Sequence, residues 1–303
     1  MSAQYFAILL LVLGNLAASL SDVAVKVIDD SVPVYQYVFI RQLLSALVVY
    51  PLWWRQKPAK RRLHKPALNF FRAHILILGS GCMVMAITHL SLATANAIFY
   101  AAPLLMLPLS VVLLKETPPL GKVFATLIGF MGVLVVLRPS EFHWAAVFAL
   151  VTAMTIALFN ITARKIPTEQ TIVSTLFWTS LLSLPLTTVV AIVNWTPISV
   201  EVLFLTLGSA TLILFYNGLA VAAYQKAPAG NIAAAENSGL LFVTLFGVMW
   251  FDELPDWLTA VGIVMIVAPL LPWHAIFSRK KEHSKDYLLR PNPPSERRKN
   301  ITD

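Results

Sequence analysis

The sequence predicts an all-α polytopic membrane protein with ten transmembrane helices in two inverted five-helix repeats. Three observations predict this fold class. Of the 303 residues, 58% are hydrophobic and only 13% are charged, whereas soluble domains carry about 25% charged residues. Apolar segments long enough to cross a bilayer follow one another as far as residue 277. Finally, the second half of the chain repeats features of the first.

The apolar segments predict the individual helices, because about 20 apolar residues cross the hydrocarbon core of a bilayer. Most connections are very short, which favours antiparallel neighbours with little mass outside the membrane. The first segment is expected to be a retained span, since Met1–Phe6 lacks the basic region of a signal peptide. The ten segments are residues 4–27, 34–54, 73–91, 95–114, 119–137, 143–163, 171–193, 201–224, 230–251 and 257–277.

Two polar stretches are longer than the other connections. The first is Arg55–Arg72, and the second is the tail that starts at Arg279. The tail is charged, contains several prolines and lacks apolar periodicity, so it is predicted to be disordered. The expected domains are a first repeat at residues 1–139, a second repeat at 140–277 and a cytoplasmic tail at 278–303.

The basic residues predict the orientation of the chain in the membrane. With the N-terminus in the cytoplasm, about twenty of the 23 Lys and Arg residues fall in cytoplasmic loops or the tail, and Arg138 lies on the other side. This bias predicts that both termini are cytoplasmic. It also accounts for the net charge of +8, so nucleic acid is not expected as a partner. The single cysteine, Cys82, rules out an intrachain disulfide.

An internal repeat relates the two halves of the chain. Residues 95–139 and 232–272 each contain an apolar span that ends in a glutamate, a proline two residues later and a second apolar span. A shift of 137 residues brings Glu116 onto Glu253. The repeat unit contains five spans, and because five is odd the second copy crosses the membrane in the opposite sense. Inverted repeats of this kind are typical of transporters with a central site between the repeats.

The sequence resembles the drug/metabolite transporter superfamily, specifically its EamA-type ten-helix members. The resemblance rests on LSLATANAIFYAAPLLMLPLSVVLLKE and GFMGVLVVLRP in the first half and on AYQKAPAGNIAAAENSGLLFVTLFGVMWFDELPDWLTAVGIVMIVA in the second. Two departures from the family pattern flank Glu236: Asn237 replaces a common aromatic residue, and Ala234–Ala235 replaces a frequent Pro-Phe pair. The resemblance implies an inner-membrane carrier of a small organic metabolite.

Glu236 is the most unusual residue of the stretch Ala229–Glu253, because a carboxyl group inside a membrane span is costly and usually functional. One interpretation is a proton-coupling or amine-binding group in a central cavity, with Asn237 beside it. The other is a structural carboxyl group that is hydrogen-bonded to Asn160 or Asn217.

Four polar residues lie on one face of the first helix: Asn15, Ser19, Asp22 and Lys26 are spaced by four, three and four residues. Such a stripe is expected to face the helix bundle rather than lipid. It either forms one wall of the central cavity or is structural, with Asp22 and Lys26 paired one turn apart.

Arg41 lies about two turns inside the second helix, and Tyr37 precedes it by one turn. A guanidinium group at this position suits bidentate binding of a carboxylate or phosphate. The alternative is an ion pair with Asp22. Neither interpretation excludes the other, because a substrate can compete for the pair.

Further polar and aromatic side chains complete the predicted cavity. Tyr100 follows Phe99, which is the repeat partner of Glu236, and Asn96 flanks the turn before the fourth helix near His89. Trp178 adds an aromatic group at membrane depth. Each of these residues alone is compatible with packing or interfacial anchoring. Together they favour a cavity for a polar metabolite that has an apolar part.

The sequence lacks the motifs of several other functions. It has no phosphate-binding loop, HExxH or CxxC motif, so no cofactor, metal centre or ATP drive is expected. We therefore predict a secondary carrier, a monomer or homodimer in contact with membrane lipid, whose partners are a small-molecule substrate and, as a candidate coupling ion, the proton. The alternatives are a membrane-embedded enzyme acting on lipid and a structural membrane subunit.

Overall fold

A computed structural model gives the fold of this chain. It describes residues 3–28, 31–115, 117–118, 120–138, 143–163, 165–167, 169–226, 235 and 238–268. The regular structure within these ranges is helical. The helices are α1 (Ala3–Ile28), α2 (Val34–Trp54), α3 (Pro58–Arg61), α4 (Pro66–His89), α5 (Leu92–Phe99), α6 (Ala102–Leu114), α7 (Leu120–Leu137), α8 (Ala145–Ala163), α9 (Ile172–Val193), α10 (Val200–Lys226), α11 (Ser238–Phe251) and α12 (Trp257–Val267).

The outer surface of the bundle is apolar. Large hydrophobic side chains such as Leu47, Val189 and Leu241 are more than half exposed, as expected where the solvent is lipid. Seven helical spans within the described ranges are long and apolar enough to cross a membrane, and three further apolar helices are shorter. Helices are favoured because their backbone groups are satisfied internally in hydrocarbon. The chain is a multi-pass membrane protein.

The structure corrects the sequence prediction at two helices. Helix α4 starts at Pro66, seven residues before the predicted third span, so Arg72 lies inside a helix and not in a polar loop. Proline suits the first turn of a helix, where its missing N–H costs nothing. The predicted fourth span is divided into α5 and α6 at Tyr100 and Ala101, because Pro103 cannot donate a helical hydrogen bond.

Close packing between helices from the two halves of the chain builds the bundle. Helix α1 packs on α10 and α11, and α2 packs on α9 and α10. Helix α4 packs on α8 and α9, α5 and α6 pack on α8, and α7 pairs with α12. The largest buried apolar cluster, which includes Val25, Ile87 and Leu240, joins α1, α4, α5 and α11.

The two ends of the bundle differ in charge. We call the end near Trp54, Pro66, Ala163 and Ile172 the basic end, because the connection Arg55–Lys65 lies there. There the His64 N–H donates to Gln170 Oε1 at 3.0 Å. We call the opposite end, near Ile28, His89 and Phe251, the acidic end. Glu253 and Asp256 lie at this end, and both form ion pairs with basic residues.

Helices α7 and α12 approach each other most closely at two glycines. A Cβ atom added at Gly132 would lie 2.9 Å from the carbonyl oxygen of Gly262, and one added at Gly262 would lie 2.9 Å from the carbonyl oxygen of Gly132. These contacts are with backbone atoms, which cannot rotate away. Small residues allow this approach and the van der Waals contact that it brings.

We predict that Gly132→Ala lowers the thermal stability of the purified protein in detergent, by about 1–3 kcal/mol, because overpacking forces α7 and α12 apart. The matched control is Gly208→Ala in α10, where an added Cβ meets nothing within 4 Å. That substitution should be neutral or slightly stabilising, since alanine favours helix over glycine. Equal melting temperatures for the two variants would contradict the close contact.

Candidate functional site

An ion pair between Lys26 and Glu253 closes the acidic end. Lys26 Nζ also donates to the Leu90 carbonyl at 2.6 Å, and the Leu92 N–H donates to Glu253 Oε2 at 2.7 Å. The two side chains are 12% and 18% exposed, so removing either one would leave a poorly solvated charge. We call this ion pair and its two backbone hydrogen bonds the acidic-end clamp. It joins α1, the start of α5 and the end of α11.

The clamp corrects the predicted pairing of Lys26. One of the two interpretations of the α1 stripe pairs Lys26 with Asp22 one turn earlier on the same helix, but the ion-pair partner of Lys26 is Glu253, more than two hundred residues away. A sequence spacing of four residues permits an ion pair on one helix but does not exclude a better partner on another helix. Glu253 offers Lys26 a partner at a helix end where the Leu92 N–H also needs an acceptor.

The remaining polar stripe of α1 faces α11, inside the helix bundle. Asn15 Nδ2 donates to the Ala235 carbonyl at 2.8 Å and to Ser238 Oγ at 3.1 Å. Ser19 Oγ donates to the Gly239 carbonyl at 3.2 Å. The Tyr100 hydroxyl lies against Gly239, so that a side chain at this position would collide with it. Asn15 and Tyr100 therefore meet where α1, α11 and the α5–α6 break come together.

Asp22 connects this face to Arg41. Its carboxyl group lies near the Asn96 amide and within electrostatic range of the Arg41 guanidinium group, while Asn96 Nδ2 donates to the Leu92 carbonyl at 3.2 Å. No direct ion pair between Asp22 and Arg41 is formed within the part of the chain that the structure describes. The structure thus brings three of the predicted residues together, with Asp22 in the middle.

Tyr37 lies in the protein interior and not on the cavity wall. It is 2% exposed, and its hydroxyl lies 2.7 Å from Ser209 Oγ, which is itself 2.7 Å from Ser21 Oγ. This chain of hydroxyl groups joins α1, α2 and α10. Tyr37 lies in the first turn of α2, close to the acidic end.

A cavity of about 550 Å³ lies in the half of the bundle nearer the basic end. Its walls come from α2, α4, α8, α9 and α10. The lining residues are Arg41, Gln42, Ser45, Val49, Arg72, Leu76, Phe159, Ala163, Ile166, Pro167, Gln170, Ile172, Thr175, Leu176, Thr179, Ser180, Ile213, Leu214 and Asn217. A neighbouring recess of about 610 Å³ shares Asn217 and Gln170 with it. The cavity wall reaches the basic end, where Ile172 is 49% exposed.

Arg41 is the deepest charged residue of the cavity wall. It lies 13 residues before the end of α2, a depth of about 20 Å from the basic end at 1.5 Å per residue. Its Nη1 atom is buried and has no hydrogen-bond partner among the residues that the structure describes. Arg41 also borders a side pocket of about 160 Å³ between α4 and α8. A buried guanidinium nitrogen without a partner is a ready donor to an incoming anion.

Arg72 is a second cation of the cavity wall, and the sequence prediction missed it as a site residue. It is 2% exposed. Its Nη1 donates to the Phe159 carbonyl and, at 3.0 Å, to Thr162 Oγ1. Its guanidinium carbon lies 3.9 Å from the centroid of the Phe159 ring, while Nε has no hydrogen-bond partner within the described ranges. Proline at position 66, a strong helix start, is the sequence feature that could have placed Arg72 inside α4.

The other predicted residues lie elsewhere or outside the described ranges. Asn217 lines the cavity. Trp178 Nε1 donates to the Arg61 carbonyl at 2.9 Å in an aromatic cluster at the basic end, and Asn160 is exposed on α8. Glu236 and Asn237 lie outside the described residues. The same is true of Glu116, so the internal repeat cannot be compared at that glutamate.

Comparison with known proteins identifies relatives over most of the chain. The sequence matches the EamA-like transporter family twice, over residues 5–138 and 143–271. It is 25% identical over 280 residues to an S-adenosylmethionine uptake transporter of Rickettsia prowazekii, covering 91% of this chain and 94% of the relative. It is 26% identical over 268 residues to the pseudopaline exporter CntI of Pseudomonas aeruginosa, covering 86% of this chain and 93% of the relative.

A solved crystal structure has a similar fold. The TM-score is 0.55 at 18% sequence identity, and the match covers 92% of this chain and 97% of that chain. At this identity the similarity supports the fold alone. Within the described residues, no three His, Cys, Asp or Glu side chains are grouped so that they could hold a metal ion.

Proposed function

This chain belongs to the EamA-like transporter family, and from this membership we propose that it is a secondary active transporter that works by alternating access. It moves a small organic metabolite, amino-acid-like or nucleoside- or cofactor-like, across the inner membrane. The observation that carries the proposal is the deep cavity with Arg41, which reaches the basic end while the clamp closes the acidic end.

The relatives support a small-molecule substrate but not a direction of transport. One relative is named as an uptake transporter and another as an exporter. Arg41 is proposed to bind a carboxylate or phosphate of the substrate, with Asn217 on the opposite wall. Asp22 and Asn96 orient Arg41 from the acidic side. Asn15, Tyr37 and Tyr100 are proposed to support the site through packing, because their known contacts are with other helices.

Helix packing supports the proposed architecture of two inverted five-helix repeats, residues 1–139 and 140–277. If the halves are exchanged, α1 takes the place of α8, and α4 takes the place of α10. The contact of α1 with α10 then becomes that of α8 with α4, and both contacts occur. Likewise, the contact of α1 with α11 corresponds to that of α8 with α5 and α6. The pairs α2–α9 and α7–α12 map onto themselves.

The distribution of basic residues supports an inward-facing orientation of the cavity. The basic end carries the connection Arg55–Lys65, which the positive-inside rule places in the cytoplasm. At the same end, the Trp53 and Phe177 rings stack at 4.3 Å, as suits an aromatic belt at the membrane surface. We therefore propose that the cavity faces the cytoplasm and that both termini are cytoplasmic.

Transport by purified protein in liposomes tests the proposed function. The substrate is first found by a thermal-shift screen against a metabolite library that includes S-adenosylmethionine, since a bound ligand raises the melting temperature by mass action. Arg41→Gln should reduce uptake of that substrate at least tenfold, because a charge-assisted hydrogen bond is lost. Arg62→Gln, at an exposed position of the basic end, is the control and should transport normally.

Two results of this experiment would contradict the carrier proposal. Chemical conversion of a metabolite without its translocation would indicate a membrane enzyme. Purified protein that takes up no member of the library in liposomes would indicate a structural subunit without transport of its own.

The proposed coupling group is Glu236, and its test is the pH dependence of transport. If Glu236 carries the coupled proton, uptake by the wild type responds to a pH gradient, and Glu236→Gln abolishes this response because glutamine cannot titrate. Asn237→Ala, at the neighbouring position, keeps the titratable group and should retain the response. An unchanged pH response in Glu236→Gln would exclude this residue as the proton carrier.

Because the acidic-end clamp closes one end of the bundle, we predict that the cavity is accessible from the cytoplasmic side of the membrane. In a Cys82→Ser background, Leu176→Cys on the cavity wall should react with a membrane-impermeant thiol reagent from the cytoplasmic face. Glu253→Gln should raise its reactivity from the outer face several-fold, because the clamp stabilises only the inward-facing state. Pro197→Cys, exposed at the acidic end, is the control and should react from the outer face in both backgrounds. If Glu253→Gln leaves the labelling of Leu176→Cys from the outer face unchanged, the proposed role of the clamp is contradicted.

A further inference from the structure

The cavity wall carries two cations and no carboxylate among its described residues. The cations are Arg41 and Arg72, and the other lining side chains are apolar, hydroxyl or amide groups. Each arginine also has one buried guanidinium nitrogen, Nη1 of Arg41 and Nε of Arg72, for which the described part of the chain offers no hydrogen-bond partner. Buried donors of this kind are rare in proteins because leaving them unpaired is costly.

No neighbouring group that the structure describes neutralises Arg72. Its partners are the Phe159 carbonyl, the Thr162 hydroxyl and the Phe159 ring. These groups accept a hydrogen bond or contact the cation through a π face, but none carries a negative charge. Among the described residues, Asp22 is the acid that interacts electrostatically with Arg41, and the two form no direct ion pair. The two arginines together therefore have positive charge in excess of their surroundings.

The positions of the two arginines suit a ligand with two separated anionic groups. Arg72 lies six residues inside α4, about 9 Å from the basic end, and Arg41 lies about 20 Å from it. Phe159 borders both the main cavity and the side pocket next to Arg41. A ligand whose first anionic group binds Arg41 therefore extends along the cavity towards Arg72.

We propose that the transported metabolite carries two anionic groups, a carboxylate that binds Arg41 and a second carboxylate or phosphate that binds Arg72. This inference rests on the proposed transport function and narrows its substrate class. The guanidinium fork favours both anions, because it can donate two parallel hydrogen bonds to either one. Amides and hydroxyl groups near the arginines, such as Gln42 and Thr179, can hydrogen-bond the polar groups between the two anions.

A purely structural role of Arg72 makes a different prediction. Arg72 also joins α4 to α8 through its contacts with Phe159 and Thr162. If this were its only role, replacing it would lower stability and leave ligand preference unchanged. The preference for a second anionic group is therefore the readout that separates the two roles.

The first test uses the unmodified full-length protein in detergent. Binding is measured for α,ω-dicarboxylates of increasing chain length, for their monomethyl esters and for a phosphorylated monocarboxylate. At the best chain length, we expect the dicarboxylate or the phosphorylated acid to bind at least about tenfold more tightly than the monoester, as one additional charge-assisted hydrogen bond implies. Which of the two binds more tightly identifies the second anion. Equal affinity of diacids and monoesters at every length would overturn the proposal.

The second test assigns the selectivity to Arg72. Arg72→Gln should lower dicarboxylate affinity to the level of the monoester while monoester affinity stays the same. Arg62→Gln, exposed on the surface of the same end, should leave both affinities unchanged. If Arg72→Gln does not fold, Arg72→Lys retains the charge without the fork and should give an intermediate preference. A preference that is unchanged in either folded variant would overturn the role of Arg72.

Failure of this inference can be told apart from failure of the proposed function. Liposomes that take up a neutral, cationic or zwitterionic metabolite, with no preference for diacids, would exclude the two-anion substrate and leave the transporter intact. Liposomes that take up no member of the metabolite library would contradict the transport function, and the substrate class with it.

Discussion

The fold depends on one constraint: the hydrocarbon core provides no water, so every polar group in it needs a partner within the protein. The acidic-end clamp shows how this constraint shapes the bundle. Lys26 cannot remain unpaired at 12% exposure, and Glu253 satisfies it from another helix while also accepting the Leu92 N–H. As a result, α1, α5 and α11 converge at the acidic end, and the cavity between the helices lies nearer the basic end.

The same constraint separates structural polar residues from candidate functional ones. Asn15 and Tyr37 have short hydrogen bonds to groups on other helices, so their buried polarity is explained by packing. Arg41 and Arg72 border a cavity, and each has a buried nitrogen without a partner in the described part of the chain. Because an unsatisfied buried donor lowers stability, an anionic ligand in the cavity would supply the missing acceptor for both. Burial alone does not distinguish the structural residues Asn15 and Tyr37 from Arg72, because all three side chains are almost fully buried.

The all-helical, multi-pass character of the chain could be predicted from the sequence, because the length of an apolar segment is a local property. The polar stripe of α1 was also predictable, since the spacing of Asn15 and Ser19 is a property of one helix. The partner of Lys26 was not predictable, because it depends on how two distant helices are aligned. Arg72 was missed for a different reason. It follows the basic stretch Arg55–Lys65 and resembles the end of that loop, and only the helix start at Pro66 places it inside α4. Asn160 and Trp178 were correctly placed on helices, but the direction of each side chain depends on helix rotation.

Asp22 connects the cavity to the clamp, and this connection bears on how substrate could drive a conformational change. It interacts with Arg41 and lies one turn before Lys26 on α1. A substrate carboxylate that binds Arg41 competes with Asp22 for the same cation. Ligand binding can shift a conformational equilibrium only if the ligand interacts differently with the two states. For the proposed anionic substrate, competition at Arg41 would supply such a difference, because it would change the electrostatic surroundings of α1 one turn from Lys26 of the acidic-end clamp. A neutral substrate would not compete with Asp22 for Arg41. The negative charge that gives the substrate its affinity for Arg41 would therefore also be what alters the surroundings of the clamp when the substrate binds.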